Sequence, residues 1–133
     1  NSGAPIQIRD VRERSSGSNE LLFSFIIENK ASGLVYSPNA FTSECVRDED
    51  KEDRLELQVR TGSGRHKVSC GQLGKKDRGE IKLSVDKQKL ITCRMTTTNA
   101  LEFATEEPIN IVANYFYRSA INTPITIQDS EIR

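Results

Sequence analysis

Apolar and polar residues alternate with a period of two along most of this chain, the signature of half-buried β-strands. The clearest run is "LLFSFIIEN", residues 21–29, which puts Leu21, Phe23, Phe25 and Ile27 on one face. "RLELQVRT", residues 54–61, sets Leu55, Leu57 and Val59 against Arg54, Glu56, Gln58 and Arg60. "PIQIRDVR", residues 5–12, turns Ile6 and Ile8 inward and, past an irregularity at Asp10, Val11 as well. "SSGSN" is a turn joining the first two of these strands. "LVYS" is a short strand stopped by Pro38, because proline cannot donate to a ladder. "HKVSC" follows a "GSG" turn, with His66 at the expected exposed hairpin tip. "EIKLSV" alternates through Ile81, Leu83 and Val85, and "KLITCRM", just past the tight turn "DKQ", reads as its hairpin partner.

The most strand-like stretch comes late. Residues 108–118 carry Ile109, Ile111, Ala113, Tyr115 and Tyr117 on one parity and Val112 and Phe116 on the other. Apolar residues on both parities predict a central strand covered on both faces. Residues 124–128, with Ile125 and Ile127 inward, form its antiparallel neighbour, and Pro124 takes the first position, where a missing N–H is tolerated. Only "NALEFATEE" looks helical, and it is short. About eight or nine short strands with regular turns predict an all-β fold, an antiparallel β-sandwich. No repeat or low-complexity segment divides residues 1–133, so one domain is expected.

Composition narrows the function classes. The 133 residues can bury a core without metals or dense disulfides. Nineteen basic and nineteen acidic residues cancel, which leaves no global field to draw nucleic acid or an anionic membrane. No apolar stretch approaches the roughly 20 residues that span a bilayer, so membrane insertion of this segment is not expected. "NSGAPI" shows no leader pattern and fits a mature terminus or a domain boundary.

Three cysteines, Cys45, Cys70 and Cys93, and one histidine, His66, lack zinc-site spacing. A bridge between Cys70 and Cys93 would close the 71–92 loop, add about 3 kcal/mol in the chain-entropy model and imply an oxidising compartment. The alternative is three reduced, buried thiols. We favour the bridge, which leaves Cys45 buried, reactive or paired with another chain.

The polar clusters are weaker signals. Asp48, Asp50, Glu52 and Asp53 in "RDEDKED" could offer Ca²⁺ several oxygens, but EF-hand spacing is absent, and Arg47, Lys51 and Arg54 neutralise the run. A salt-bridged loop is the preferred reading, with no cofactor expected beyond that candidate ion. "GQLGKKDRG", residues 71–79, has Lys76 where a phosphate-binding loop needs Ser or Thr, so it reads as a basic surface loop. No nucleophile or orienting acid is spaced to His66, so catalytic residues are not assigned and an enzyme is not expected. Tyr36, Tyr115, Phe116 and Tyr117 are read as packing residues with hydroxyls at the rim rather than as a binding platform.

"LLFSFIIENKASGLVYSPN" and "INIVANYFYRSAINTPITI" together carry a resemblance to immunoglobulin-like sandwiches of the CARDB-like group, found in secreted and cell-surface proteins of bacteria and archaea. In that group a strand ending in Asn, then a small residue and Gly, leads into a loop, and a late aromatic strand pairs with the last one. The chain departs from antibody-type domains in lacking tryptophan. The resemblance implies an extracellular, cell-surface domain. The expected role is structural: a subunit that associates with copies of itself or with other surface proteins, as in a filament or adhesive assembly. Residues 1–12, through Pro5, Ile6, Ile8 and Val11, would serve as an edge or exchanged strand. The alternative is a monomeric surface module for glycan, peptide or Ca²⁺ carried by loops 38–53 and 71–79.

Overall fold

A computed structural model describes residues 4–15, 17, 19–40, 51–62, 66–96 and 109–119. Nine antiparallel strands occur among them: β1 (Ile6–Ser15), β2 (Glu20–Asn29), β3 (Leu34–Tyr36), β4 (Arg54–Thr61), β5 (Lys67–Cys70), β6 (Arg78–Lys82), β7 (Gln88–Thr96), β8 (Ile109–Asn114) and β9 (Phe116–Arg118). They form a four-stranded sheet in the order β1-β2-β7-β5, a three-stranded sheet β6-β4-β8 and a pair β3-β9. The fold is all-β and generically sandwich-like. Residues 124–128, the expected closing strand, lie outside the described residues, as does most of "NALEFATEE".

Strand parity builds the core. Phe23, Phe25 and Ile27 of β2 and Ile91, Cys93 and Met95 of β7 face Leu55, Leu57 and Val59 of β4 in one buried cluster, joined by Val35, Ile81 and Leu83. Phe25, Ile27, Leu55, Leu57, Val59 and Ile91 are fully buried, and each contributes roughly 1.5–3 kcal/mol by leaving water. Ile6 belongs to the cluster, and Ile8 and Leu21 pack against it.

Two predicted inward positions are exposed instead. The irregularity at Asp10 is a β-bulge: Arg9 pairs with Ile26 and Arg12 with Ser24, so Asp10 and Val11 together face Phe25. Asp10 takes a left-handed φ of 54°, and Val11 stays on the outward parity set by Ile6 and Ile8, 63% exposed, instead of turning inward. Val85 is 99% exposed, because β6 ends at Lys82 and the chain turns there. Ser84 and Lys87 close that turn through Ser84 N–H to Gln88 O and Lys87 N–H to Ser84 O.

Two predicted hairpins are connections between sheets. β6 pairs with β4, whereas β7 pairs with β2 and β5. The turn that looks local therefore carries the chain from one sheet to the other. The same holds for the "GSG" passage, since β4 and β5 share no sheet. His66 is consequently not at an exposed tip. It is in phase with inward Val68 and Cys70 and only 6% exposed.

The late strand also divides. β8 pairs with β4, and after Tyr115 β9 pairs with β3. Ile109, Ile111, Ala113, Tyr115 and Tyr117 pack on the core as expected. The opposite parity is not covered among the described residues, where Val112 and Phe116 are exposed.

Candidate functional site

The N-terminal strand is the first candidate. β1 is an edge of the four-stranded sheet and pairs with β2 from Ile6 opposite Asn29 to Ser15 opposite Leu21. Pro5 anchors its start by accepting Lys30 N–H through its carbonyl oxygen at 2.8 Å. Asp10 to Arg14 are all exposed. Of the four association residues named from sequence, Ile6 and Ile8 thus fill the core of this same chain, Pro5 fixes the strand's entry, and Val11 alone points to solvent.

The loop after β2 explains the Asn-small-Gly pattern. Asn29, 6% exposed, donates from Nδ2 to Gly33 O and accepts Ala31 N–H at Oδ1, at 2.9 and 3.0 Å. Gly33 N–H donates to the Tyr117 hydroxyl at 2.8 Å, and Ile6 N–H to the Tyr115 hydroxyl at 3.4 Å. The two tyrosines therefore pack inward and use their hydroxyls to tie the ends of β1 and β2 to the late strand. Tyr36 is fully buried, and only Phe116 of the four aromatic residues is half exposed.

Of the acidic run, Asp48 and Asp50 lie outside the described residues. Glu52 accepts the Tyr36 hydroxyl at 3.4 Å, and Asp53 pairs with Lys87 Nζ at 3.0 Å. Both ends of that last pair have a left-handed backbone, with φ of 60° at Asp53 and 66° at Lys87. Among the described residues no three His, Cys, Asp or Glu side chains group as a metal site. No helix among them is long and apolar enough to cross a membrane.

A polar cluster that sequence reading missed surrounds Glu80. Its carboxylate accepts the Ser37 hydroxyl at 2.6 Å and Arg54 Nη1 at 3.2 Å, with Lys51 Nζ at 3.7 Å. Burial alone would raise the Glu80 pKa, but the Ser37 hydrogen bond and the charges of Lys51 and Arg54 outweigh it and hold the carboxyl below its ordinary value. A carboxyl lowered in the folded state stabilises the fold above its unfolded-state pKa. That contribution fades as pH falls through the folded-state value. The side chain is 25% exposed, so solvent screening limits the contribution to less than about 1 kcal/mol. Glu80→Gln is expected to melt lower than the parent at pH 7 and to lose less stability than the parent on acidification to about pH 3. Parallel melting curves across that range would remove Glu80 from the acid response.

Cys70 and Cys93 are disulfide-bonded, directly opposite each other across β5 and β7, and both are buried. Cys45 lies outside the described residues. The loop that follows Cys70 is a 3₁₀ turn, Gly71–Leu73, ended by Gly74 in the left-handed region. It exposes Lys75, Lys76 and Asp77, as expected of a basic surface loop. The sequence matches no family model, no curated protein and, through its fold, no solved structure.

Proposed function

We propose that this is a non-enzymatic, extracellular structural domain of immunoglobulin-like type that self-associates by exchanging β1 between copies in a cell-surface assembly. The observation that carries this reading is the position of β1. Among the described residues it is an edge strand, so it can leave without breaking any other ladder described there, and it supplies Ile6 and Ile8 to the core. A second copy's β1 would make the same contacts, and exchange of identical elements is a low-cost route to oligomers. Simple edge-to-edge addition is disfavoured by the bulge and by the exposed charges of Asp10, Arg12, Glu13 and Arg14. The disulfide supports placement in an oxidising compartment.

Deleting residues 1–12 is a poor test, since it removes Ile6 from the core. Arg12 and Ser24 face each other across β1 and β2, so Arg12→Cys with Ser24→Cys offers a cleaner one. Oxidised at high concentration, this variant should run on a non-reducing gel as covalent dimers or a ladder, while the parent treated alike does not. Intramolecular cross-links alone, in a protein that light scattering shows to be monomeric, would overturn the exchange.

The second reading, a monomeric binding module for glycan, peptide or Ca²⁺, is favoured by one feature: a cationic cleft beside the 71–79 loop.

A further inference from the structure

We infer that the cleft between β4, β5 and the 74–78 loop is a binding site for an acidic glycan, a sugar chain bearing sulfate or uronate groups. This rests on the second functional reading and not on strand exchange.

The cleft encloses about 530 Å³, within the range of ligand-binding pockets. Five cations line it: Arg60 from β4, Lys67 from β5, Lys75 and Lys76 from the loop, and Arg78 from β6. Asp77 is the one acid among its described lining residues. Elsewhere several cations are matched at close range, Arg9 with Glu28, Arg54 with Glu80, Lys87 with Asp53 and Arg94 with Glu20, while others, such as Arg12 and Arg14 on β1, are exposed without being gathered five around one cleft. None of the five cleft cations makes an ion pair among the described residues. Among the described lining residues only Asp77 offsets their mutual repulsion, so the cleft favours an added anion.

The backbone holds this arrangement in place before any ligand arrives. Lys75 N–H donates to Cys70 O and Cys70 N–H to Lys76 O, both at 3.0 Å. Ser69 Oγ donates to Lys75 O at 3.2 Å, and Val59 N–H to Asp77 O at 2.8 Å. Cys70 is itself fixed by its disulfide. Lys75 has a φ of 66°, where glycine or asparagine would be less strained, so a lysine there costs stability while adding charge to the cleft.

The lining selects the ligand class. No Phe, Tyr or Trp is among the described lining residues, and the one ring there, His66, is only 6% exposed, so a neutral sugar or a nucleic-acid base finds little stacking surface. Recognition must rest on repeated negative charge. The disulfide beside the cleft fits an oxidising compartment, and a sulfated or uronate-bearing sugar chain is the polyanion of that setting that needs no base-stacking surface.

The test uses the intact oxidised chain, taken as the monomer fraction from gel filtration so that strand exchange does not enter the readout. Calorimetric titration with a heparin-derived octasaccharide and with a uronate octasaccharide should give saturable one-to-one binding of at least one, and either result supports the site. Lys75→Glu with Lys76→Glu should weaken binding by roughly tenfold or more, whereas Arg12→Glu with Arg14→Glu, the same charge change on β1, should weaken it by less than about threefold. Arg60→Gln with Lys67→Gln, two exposed positions, repeats the loss if the first variant melts early. Three results would overturn the site: no saturable binding of either sugar, equal weakening by cleft and β1 variants, or tighter binding of single-stranded DNA than of both sugars.

Discussion

Replacing Cys70 and Cys93 together by alanine is expected to lower the stability of the oxidised protein by about 3 kcal/mol and its melting temperature by roughly 10 °C. The bridge ties β5 to β7 inside one sheet, but the chain between them leaves that sheet. It runs through the Gly71–Leu73 turn into β6, which pairs with β4 in the other sheet, and returns through the turn at Ser84–Lys87. Cutting the bridge therefore frees a loop that includes a crossing between two sheets, and the unfolded chain gains the entropy of that whole loop. Direct losses are smaller. Both sulfurs sit in the buried cluster beside Met95 and Val68, and alanine at each leaves a small void. Urea unfolding of the parent, the double variant and the reduced parent measures the difference. A loss below about 1 kcal/mol would mean that the β5–β7 ladder and core packing hold this edge without the bridge.

The same crossing shows what could be read from sequence and what could not. Parity is a local property, and where a strand is half buried it was legible. Phe23, Phe25 and Ile27 are inward in β2, and Leu55, Leu57 and Val59 in β4. The Cys70–Cys93 bridge was legible from two cysteines placed at the end of one strand-like run and within another; that both point inward and face each other is what the pairing of β5 with β7 adds. Pairing is not local. The turn after β6 closes with the hydrogen bonds of a hairpin, yet the strands it joins belong to different sheets. Only the competition between β4 and β7 for β6, across residues far apart in the chain, decides the outcome. The irregularity at Asp10 is real, but it does not turn Val11 inward: Val11 keeps the outward phase that strict alternation from Ile6 and Ile8 gives it. His66 was misplaced because it was assigned to a turn, when its phase with Val68 and Cys70 already marked it as inward.

The cationic cleft was half legible. "GKKDR" is visible as charge, but Arg60 and Lys67 join Lys75, Lys76 and Arg78 only because the loop folds back between two sheets. The Glu80 cluster could not be seen at all. It joins Ser37 and Glu80 to Lys51 and Arg54 of a third segment, and no spacing announces such a group.

Gly33→Ala is expected to cost about 3 kcal/mol, more than any other single glycine replacement among the described residues. A methyl group built on Gly33 would collide with the carbonyl oxygen of Arg118 and lie 2.6 Å from the ring and hydroxyl of Tyr117. The first contact is with backbone, so no side-chain rotation relieves it. β9 would have to move away from β3, and with it would go the hydrogen bond from Gly33 N–H to Tyr117 and the support that Asn29 gives to Gly33 O. Tyr117 also packs on the core, so the displacement reaches beyond the loop. Gly74→Ala provides the contrast. Gly74 has open space around it but a φ of 67°, so alanine there should cost only about 1 kcal/mol of backbone strain. Removing the Tyr117 hydroxyl in Gly33→Ala/Tyr117→Phe should not restore stability, because the clash with Arg118 O remains. Urea unfolding of the three variants separates crowding from strain. If Gly33→Ala costs no more than Gly74→Ala, or if Tyr117→Phe rescues it, close approach of β9 to the Asn29–Gly33 loop is not what holds the late strand in place.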